Sequence, residues 1–206
     1  MASPDLMPLW RAARAAQSPA ARVRGLPPLW FMTDRDRVAD PLTAAARLPK
    51  GAGVVLRDYD APGRAALAAA LAALCRRAGL VLLVAGDERL AAASGADGVH
   101  LPQWRAGDAA GIRRRHPSWL VTAAAHDARA IRRAARAGAD AVFVSPVFST
   151  ASHPGAPHLG SVRFAALVRT ARVPVYALGG VDAGAAGRLR ASGMAGVAAI
   201  GGIAES

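Results

Sequence analysis

Eight short apolar segments recur along the 206-residue chain, separated by stretches with helical periodicity. The apolar segments predict strands at 28–33, 53–57, 80–85, 97–101, 119–124, 140–145, 173–178 and 195–200. The Ala-, Leu- and Arg-rich stretches between them predict helices at 41–48, 61–78, 87–94, 106–115, 127–137, 161–171 and 182–192. Near-continuous apolar strands that alternate with helices are typical of a parallel sheet covered on both faces. Eight such units in a chain of this length predict a single α/β domain, a (β/α)8 TIM barrel.

A short junction recurs where several predicted helices end. It occurs as "ASGADGVHLP", "RAGADAVFVSP" and "ASGMAGVAAIG", in which Gly95, Gly138 and Gly193 follow a helix and a strand begins two or three residues later. Gly79 in "RRAGLVLLVA" is a looser copy. A helix that ends in the left-handed conformation favours glycine at that position. The repetition is what stacked strand–helix units would produce.

The residues before the first strand form a separate helical pattern. We predict an N-terminal helical extension over residues 1–27, with a helix within 5–24 on the barrel exterior, and the barrel domain over 28–206. Few residues follow the eighth strand, which leaves little room for an eighth outer helix. Scattered arginines near the N-terminus argue against a secretory signal. No apolar run reaches the roughly 18 residues of a membrane span, so we expect no membrane partner. The single cysteine, Cys75, excludes an internal disulfide, and from this we expect a cytoplasmic location.

The formal net charge of +12 raises nucleic acids and phosphorylated molecules as partners. Most basic residues are arginines on alanine-rich helical stretches such as "GIRRRHP" and "ARAIRRAARAG". That pattern is typical of the solvated outer faces of amphipathic helices. No aromatic residues are interleaved with these arginines for the base stacking that single-strand binders use. We therefore expect no nucleic-acid partner.

Glycine pairs follow the last two predicted strands, in "YALGGVDAGA" and "AAIGGIAES". Active sites of TIM barrels lie at the carboxyl ends of the strands, and the last two loops commonly bind phosphate. Glycines let backbone N–H groups approach an anion, and helix N-termini behind them add partial positive charge. We predict a phosphate site at Gly179, Gly180, Ile200 and Gly201, with ordinary turns as the alternative.

The segment "VSPVFSTASHPGAPHLG", residues 144–160, is a long polar connection after the sixth predicted strand. Connections in compact domains are usually two to about six residues, and longer ones tend to be functional or disordered. Thr150 and Ser152 would supply hydroxyl groups to a ligand, and His153 a charge that changes with pH. We predict that this loop closes over a phosphorylated ligand and excludes water.

A set of motifs occurs in order across roughly residues 28 to 203: "WFMTDRD", "GVVLRDY", "GADGVHLPQ", "AAAH", "GADAVFVSPVFSTASH", "VPVYALGGV" and "GVAAIGG". Together they resemble the thiamine phosphate synthase and TenI superfamily of barrels. The most specific piece is the fifth motif, which is similar to the superfamily's G-P-V-F-x-T-x-[ST]-K loop. The resemblance implies a role in thiamine biosynthesis and a small phosphorylated heterocycle, a thiazole phosphate, as the ligand.

Resemblance to the synthase branch implies an enzyme that joins a pyrimidine diphosphate to a thiazole phosphate with the help of Mg²⁺. Of that branch's Q-x-R-x-K strand only Arg57 remains, and Gly86 and Arg105 stand where its N-D and G-Q-x-D motifs carry carboxylates. Its strand-five serine is Ala124 here, and its loop lysine is His153. Mg²⁺ prefers carboxylate oxygens. We therefore expect no metal or other cofactor, with Mg²⁺ required only under the synthase alternative.

The TenI branch matches the remaining motifs better, and it implies a thiazole tautomerase. Such an enzyme needs a phosphate anchor and a group that exchanges protons near neutral pH. His126 lies where that branch carries its proton-shuttling histidine, so we predict His126 as the catalytic acid/base. Capping of the following helix is its alternative role. For His100, with its apolar neighbours, we predict a structural, hydrogen-bonded role.

The remaining candidate for substrate binding is Arg57, for which a salt bridge with Asp34 or Asp58 at the barrel end is the alternative role. Two other function classes stay open beside the tautomerase. One is a thiamine phosphate synthase whose motifs have drifted, and the other is a non-catalytic barrel that binds a phosphorylated ligand. The residues leave open whether the protein forms a homo-oligomer.

Overall fold

The computed structural model describes residues 4–59, 61–150, 155 and 157–200. Its strands are β1 (Leu29–Met32), β2 (Gly53–Leu56), β3 (Val81–Ala85), β4 (Gly98–Leu101), β5 (Leu120–Ala125), β6 (Ala141–Val144), β7 (Val175–Leu178) and β8 (Gly196–Ala199). Its α-helices are α1 (Met7–Ala16), α2 (Pro19–Val23), α3 (Pro41–Ala46), α4 (Arg64–Ala78), α5 (Glu88–Ser94), α6 (Ala109–Arg115), α7 (Ala128–Arg136), α8 (Gly160–Thr170) and α9 (Ala183–Arg188). A 3-10 helix, Gln103–Asp108, precedes α6. Among the described residues, no helix has the length and apolar character that crossing a membrane requires.

The eight strands run parallel and form a closed barrel in chain order. The barrel closes where β8 pairs with β1, with Leu29 opposite Val197. The prediction of a (β/α)8 barrel is therefore confirmed. Because all strands are parallel, their carboxyl ends lie at one end of the barrel, termed the mouth below.

Large aromatic side chains fill the barrel interior. Trp30 makes edge-to-face contacts with Phe143 and Tyr176, at ring-centroid distances of 5.6 and 6.1 Å. The Tyr176 hydroxyl donates a hydrogen bond of 2.7 Å to the backbone oxygen of Pro27. Gly53 makes room for the indole, because a Cβ atom at that position would lie 2.2 Å from the Trp30 ring. The interior is thus a packed core with no room for a ligand, and active sites of this fold lie at the mouth.

The extra N-terminal helix covers the barrel where β8 meets β1. α1 buries Leu9, Trp10 and Ala13 and packs against α9, β8 and β1, so it occupies the outer position that a helix after β8 would take. The extra helix is confirmed, but the segment predicted as one helix is divided into α1 and α2. The reason is local, since the Ser18 hydroxyl caps α2 by accepting a hydrogen bond from Ala21 N, with a proline next to Ser18 at the helix start.

The recurring glycine junction has the conformation that the sequence predicts. Gly79, Gly95 and Gly193 follow their helices with left-handed φ values of 66°, 72° and 81°. Gly138 has a φ of 82° after α7. Residues with a Cβ atom adopt this region at a steric cost, which explains glycine at all four positions.

Candidate active site

The mouth brings together several of the residues that the sequence predicts as a site. Arg57 follows β2, His126 follows β5, Thr150 lies in the loop after β6, and Gly179 and Gly180 follow β7. Ile200 directly follows β8, where it is half-buried against the inner core. Three other predicted site residues, Ser152, His153 and Gly201, lie outside the described residues.

His126 is exposed at the mouth and is held by two neighbouring segments. Its Nδ1 lies 2.6 Å from the backbone oxygen of Ser145, and its backbone N–H donates a 2.9 Å hydrogen bond to Gln103 Oε1. A carbonyl oxygen can only accept, so Nδ1 carries the hydrogen and the lone pair of the neutral ring is on Nε2. The backbone thus fixes the tautomer of His126 and directs a basic nitrogen away from Ser145.

The residue that caps α7 is Asp127. Its Oδ1 accepts a hydrogen bond of 2.7 Å from Ala130 N, as an N-cap side chain does. The alternative role for His126, capping the following helix, is therefore filled by its neighbour. The imidazole of His126 instead bonds to the end of the adjacent strand.

His100 lies deeper, inside the barrel, where it is almost fully buried. Its Nδ1 is 2.9 Å from the Thr122 hydroxyl, and its ring meets Phe143 edge-to-face at a centroid distance of 5.0 Å. Burial, with a smaller contribution from the nearby positive charge of Arg57, lowers the pKa of His100 to about 3. His100 is therefore neutral, and its contacts are those of the predicted structural, hydrogen-bonded residue.

Arg57 is half-buried and pairs with Asp34, with Nη2 and Oδ2 3.3 Å apart. The other nearby carboxylate, Asp58, accepts hydrogen bonds from the Thr33 hydroxyl at 2.5 Å and from Arg35 N at 2.9 Å. These groups surround a cavity of about 340 Å³ between the ends of β1 and β2. The salt-bridge alternative for Arg57 is thus observed with Asp34, and the guanidinium still borders this cavity.

The glycine pair after β7 allows the loop after β6 to approach closely. Both glycines have positive φ, 92° at Gly179 and 63° at Gly180. A Cβ atom on Gly180 would lie 2.3 Å from the backbone oxygen of Ser149, and one on Gly179 would lie 3.0 Å from Pro146 Cα. The loop is bonded here, since Phe148 N donates to the backbone oxygen of Gly179 at 3.0 Å. These two glycines therefore form the surface on which the loop after β6 packs, termed the seat of the loop below, in addition to any contact with an anion.

The helix behind this glycine pair begins with a carboxylate. Asp182 caps α9, and its Oδ1 accepts a hydrogen bond of 2.6 Å from Ala185 N. We expected helix N-termini to add positive charge behind both glycine pairs. At α9 this positive charge is reduced, because the capping carboxylate offsets the helix dipole. An anion at Gly180 has to rely on loop N–H groups and on side chains.

Two arginines converge on the end of β3. Arg105 Nη1 donates to the Gly86 backbone oxygen at 2.7 Å, and Arg64 Nη2 donates to the Ala85 backbone oxygen at 2.6 Å. The Arg64 guanidinium also lies over the ring of Tyr59, and a Cβ atom on Gly86 would lie 2.9 Å from that ring. The sequence did not predict this contact of Arg64 with the end of β3. No sequence pattern reveals which strand end is reached by an arginine at the start of a helix.

These contacts test whether the chain suits a Mg²⁺ ion at this place. Asp87, the carboxylate beside Gly86, caps α5 by accepting from Leu90 N at 2.9 Å and lies 3.7 Å from Arg64. Within the described part of the chain, no group of three His, Cys, Asp or Glu side chains could hold a metal ion. Arg105 stands where the synthase motif carries a carboxylate, and a guanidinium has no oxygen to offer a metal. The described residues therefore do not suit Mg²⁺ at the ends of β3 and β4.

Comparison with known proteins gives consistent matches. The family model described as thiamine monophosphate synthase (TMP-TENI) matches residues 29–203. The "Putative thiamine-phosphate synthase 2" of Aquifex aeolicus is 34% identical over 76% of this chain and 86% of its own length. A "Thiamine-phosphate synthase" of Roseiflexus sp. is 35% identical over 84% of this chain and 76% of its own. The solved structure of thiamine phosphate pyrophosphorylase from Pyrococcus furiosus superposes with a TM-score of 0.72 at 24% identity, covering 86% of this chain and 87% of that one, and it supports the fold. The chain therefore belongs to the thiamine monophosphate synthase family.

Proposed function

We propose that the protein is an enzyme of thiamine biosynthesis that binds a thiazole phosphate and moves a proton on it, as a TenI-like thiazole tautomerase. The observation that carries this proposal is the fixed tautomer of His126, whose Nδ1 bonds to the Ser145 backbone oxygen at 2.6 Å. A histidine held in this way offers Nε2 as a base at the mouth. Histidine is also the side chain best suited to exchange protons near neutral pH.

The proton transfer needs no redox partner. Nε2 of His126 takes a proton from a ring-associated carbon of the ligand, and the pair of electrons left behind shifts within the ligand. The resulting imidazolium is stabilised by the Ser145 backbone oxygen, which accepts from Nδ1–H. His126 then gives a proton back at the second site of the ligand, so that the ligand is isomerised and His126 is neutral again.

The phosphate of this ligand would lie between the ends of β7 and β8. We assign its contacts to Gly179, Gly180, Ile200 and Gly201 and to the hydroxyls of Thr150 and Ser152, with His153 as a partner when it is protonated. The positive φ values at Gly179 and Gly180 support this placement, since they orient backbone N–H groups in ways that other residues adopt with difficulty. Arg57 borders the mouth at the ends of β1 and β2, next to β8, and we assign its guanidinium a contact with the ligand beside its salt bridge with Asp34.

A thiamine phosphate synthase is the second candidate, and the names of the relatives favour it, since they are called thiamine-phosphate synthases. Arg57 also remains from the synthase pattern. The contact of Arg105 with Gly86 O weighs against it, because a fixed cation takes the place of metal-binding oxygens. A synthase built on this chain would have to hold the diphosphate with arginines instead.

Two assays on the same protein distinguish these functions. In the first, the thiazole carboxylate phosphate is incubated with the protein in deuterated water, and proton exchange and isomerisation are followed by NMR. In the second, a pyrimidine diphosphate and a thiazole phosphate are supplied with and without Mg²⁺, and thiamine phosphate is measured. We expect activity in the first assay alone. Product in the second assay would establish the synthase, and ligand binding without activity in either would establish a non-catalytic barrel.

A further inference from the structure

A concave surface with a volume of about 570 Å³ lies outside the mouth, between α7 and the 3-10 helix Gln103–Asp108. Its lining includes Gln103, Asp127 and four arginines of α7, namely Arg129, Arg132, Arg133 and Arg136. We term it the α7 groove. Its volume falls within the range of about 300 to 1,000 Å³ that is typical of small-molecule sites.

The four arginines share one face of α7 because they follow the spacing i, i+3, i+4 and i+7. The other face of the helix is apolar and buries Ala130, Ile131 and Ala134 against the barrel. Arg133 donates a hydrogen bond to the backbone oxygen of Gln103, which ties this helix face to the opposite wall of the groove. The cationic face therefore lies along a shallow, open groove, and its four arginines are exposed.

The charge of this face is poorly balanced compared with that of its neighbour α6. On α6, Arg113 pairs with Asp140 and Arg115 pairs with Glu88. Within residues 4–59, 61–150, 155 and 157–200, no such ion pair is formed by Arg129, Arg132 or Arg136. The one carboxylate in the lining, Asp127, is bonded to Ala130 N as the cap of α7. The groove thus holds an excess of positive charge that an anion would neutralise.

We propose that the α7 groove binds a small anion of the diphosphate class, at a site separate from the mouth and independent of the function proposed above. Guanidinium groups bind phosphate oxygens in pairs, which suits several arginines that face one cavity. Four arginines contribute to the lining, and the lining residues include no aromatic side chain on which a base could stack. These two features favour a small diphosphate over a nucleic acid.

The groove also contacts the segment that holds His126. Gln103, one of its lining residues, accepts the His126 backbone N–H through Oε1 at 2.9 Å. Asp127, another lining residue, is next to His126 in the chain. An anion in the groove should therefore change the magnetic environment of the amides of Gln103, His126 and Asp127, and this provides a local signal of occupancy.

Calorimetric titration with inorganic pyrophosphate at low ionic strength, where surface charges are weakly screened, tests the proposal. The test variant is Arg132→Ala/Arg136→Ala, and the matched control is Arg163→Ala/Arg169→Ala, which removes two exposed arginines from α8. We expect saturable binding to the parent, at least tenfold weaker binding to the test variant, and binding to the control within twofold of the parent. The conservative variant Arg132→Lys/Arg136→Lys should recover part of the affinity.

A parallel titration with pyrophosphate, followed by amide chemical shifts in NMR spectra, locates the binding site. Pyrophosphate should shift the amides of Gln103, His126 and Asp127 in the parent and leave them in place in the test variant. Equal affinity of the two double-alanine variants would overturn the proposal, as would shifts confined to Gly179 and Gly180. A protein that binds a short DNA duplex through these arginines and does not bind pyrophosphate would overturn it as well.

Discussion

Arg105 Nη1 donates a hydrogen bond of 2.7 Å to the backbone oxygen of Gly86, joining the mouth ends of β4 and β3. Arg105 also bonds through Nε to Asp108 at 2.7 Å, so its guanidinium is held from two sides. Asp87, the carboxylate nearest in sequence to Gly86, is already engaged, since it accepts a hydrogen bond from Leu90 N and lies 3.7 Å from Arg64. The guanidinium of Arg105, paired with Asp108, therefore lies at the position where the synthase motif has a carboxylate.

The first prediction is that the protein does not bind Mg²⁺ tightly. Isothermal titration with Mg²⁺, alone and in the presence of a diphosphate, should show no saturable binding in the micromolar range. Arg105→Ala removes the cation without adding an oxygen ligand. The affinity of this variant for Mg²⁺ should therefore exceed that of the parent by less than about tenfold. Micromolar affinity in the parent protein would contradict this account of the end of β3.

The second prediction concerns the seat of the loop after β6. Gly180→Ala should displace this loop, because its Cβ atom would lie 2.3 Å from Ser149 O, and the phosphate ligand should bind at least tenfold more weakly. Gly25→Ala is the matched control, since Gly25 has a φ of 65°, close to the 63° of Gly180, and open space around it. Both variants should lose about 1–2 kcal/mol of unfolding free energy for the left-handed conformation, and Gly180→Ala should lose more.

The comparison between these two variants is made by chemical denaturation and by titration with thiazole phosphate. A larger side chain, as in Gly180→Val, cannot leave the structure near Ser149 unchanged, so it is a less informative variant for locating the phosphate. Equal losses of stability in Gly180→Ala and Gly25→Ala would contradict the contact between Gly180 and the loop. Ligand binding by Gly180→Ala at the parent's affinity would contradict the placement of the phosphate site.

The third prediction is a pH dependence of stability that originates at His100. Burial lowers its pKa to about 3 in the folded protein, whereas a histidine in an unfolded chain titrates near 6.5. The unfolded state therefore takes up a proton that the folded state does not, and stability should fall as the pH drops from about 6.5 towards 3. The contribution of this one group is at most about 1.4 kcal/mol per pH unit.

Urea unfolding at a series of pH values measures this slope. His100→Gln is expected to be less stable than the parent at neutral pH but to have a smaller slope between pH 6.5 and 4, because the titrating group is gone. His158→Gln, at an exposed position, should keep the slope of the parent. A His100→Gln variant with the parent's slope would show that other groups cause the acid sensitivity.

Most of the fold could be predicted from the sequence because it depends on local patterns. Apolar runs such as "DAVFVS" gave β6 its position, and glycines such as Gly95 marked helix ends through a backbone conformation that other residues avoid. The division of the N-terminal segment into α1 and α2 was not predicted, although Ser18 and Pro19 carry a recognisable capping signal.

The site was less predictable because its key contacts join residues far apart in the chain. The bond between His126 and Ser145, or between Arg105 and Gly86, depends on how loops from different strands meet. The glycines after β7 were expected to make room for an anion, and the structure shows that they also accommodate Ser149 of another loop. Sequence position alone identified which loops reach the mouth, but only the structure identified their partners.

The most direct test of the central claim, proton transfer by His126, is the rate of hydrogen–deuterium exchange on bound thiazole carboxylate phosphate, measured by NMR in the parent and in His126→Ala. A positioned general acid/base contributes about 10² to 10⁴-fold, so we predict that the variant exchanges at least about 10²-fold more slowly. Its affinity for the ligand should stay within a few-fold of the parent, because we assign the phosphate contacts to other loops. His158→Ala should exchange like the parent. Exchange at the parent's rate in His126→Ala would contradict the claim and assign the proton transfer to another residue.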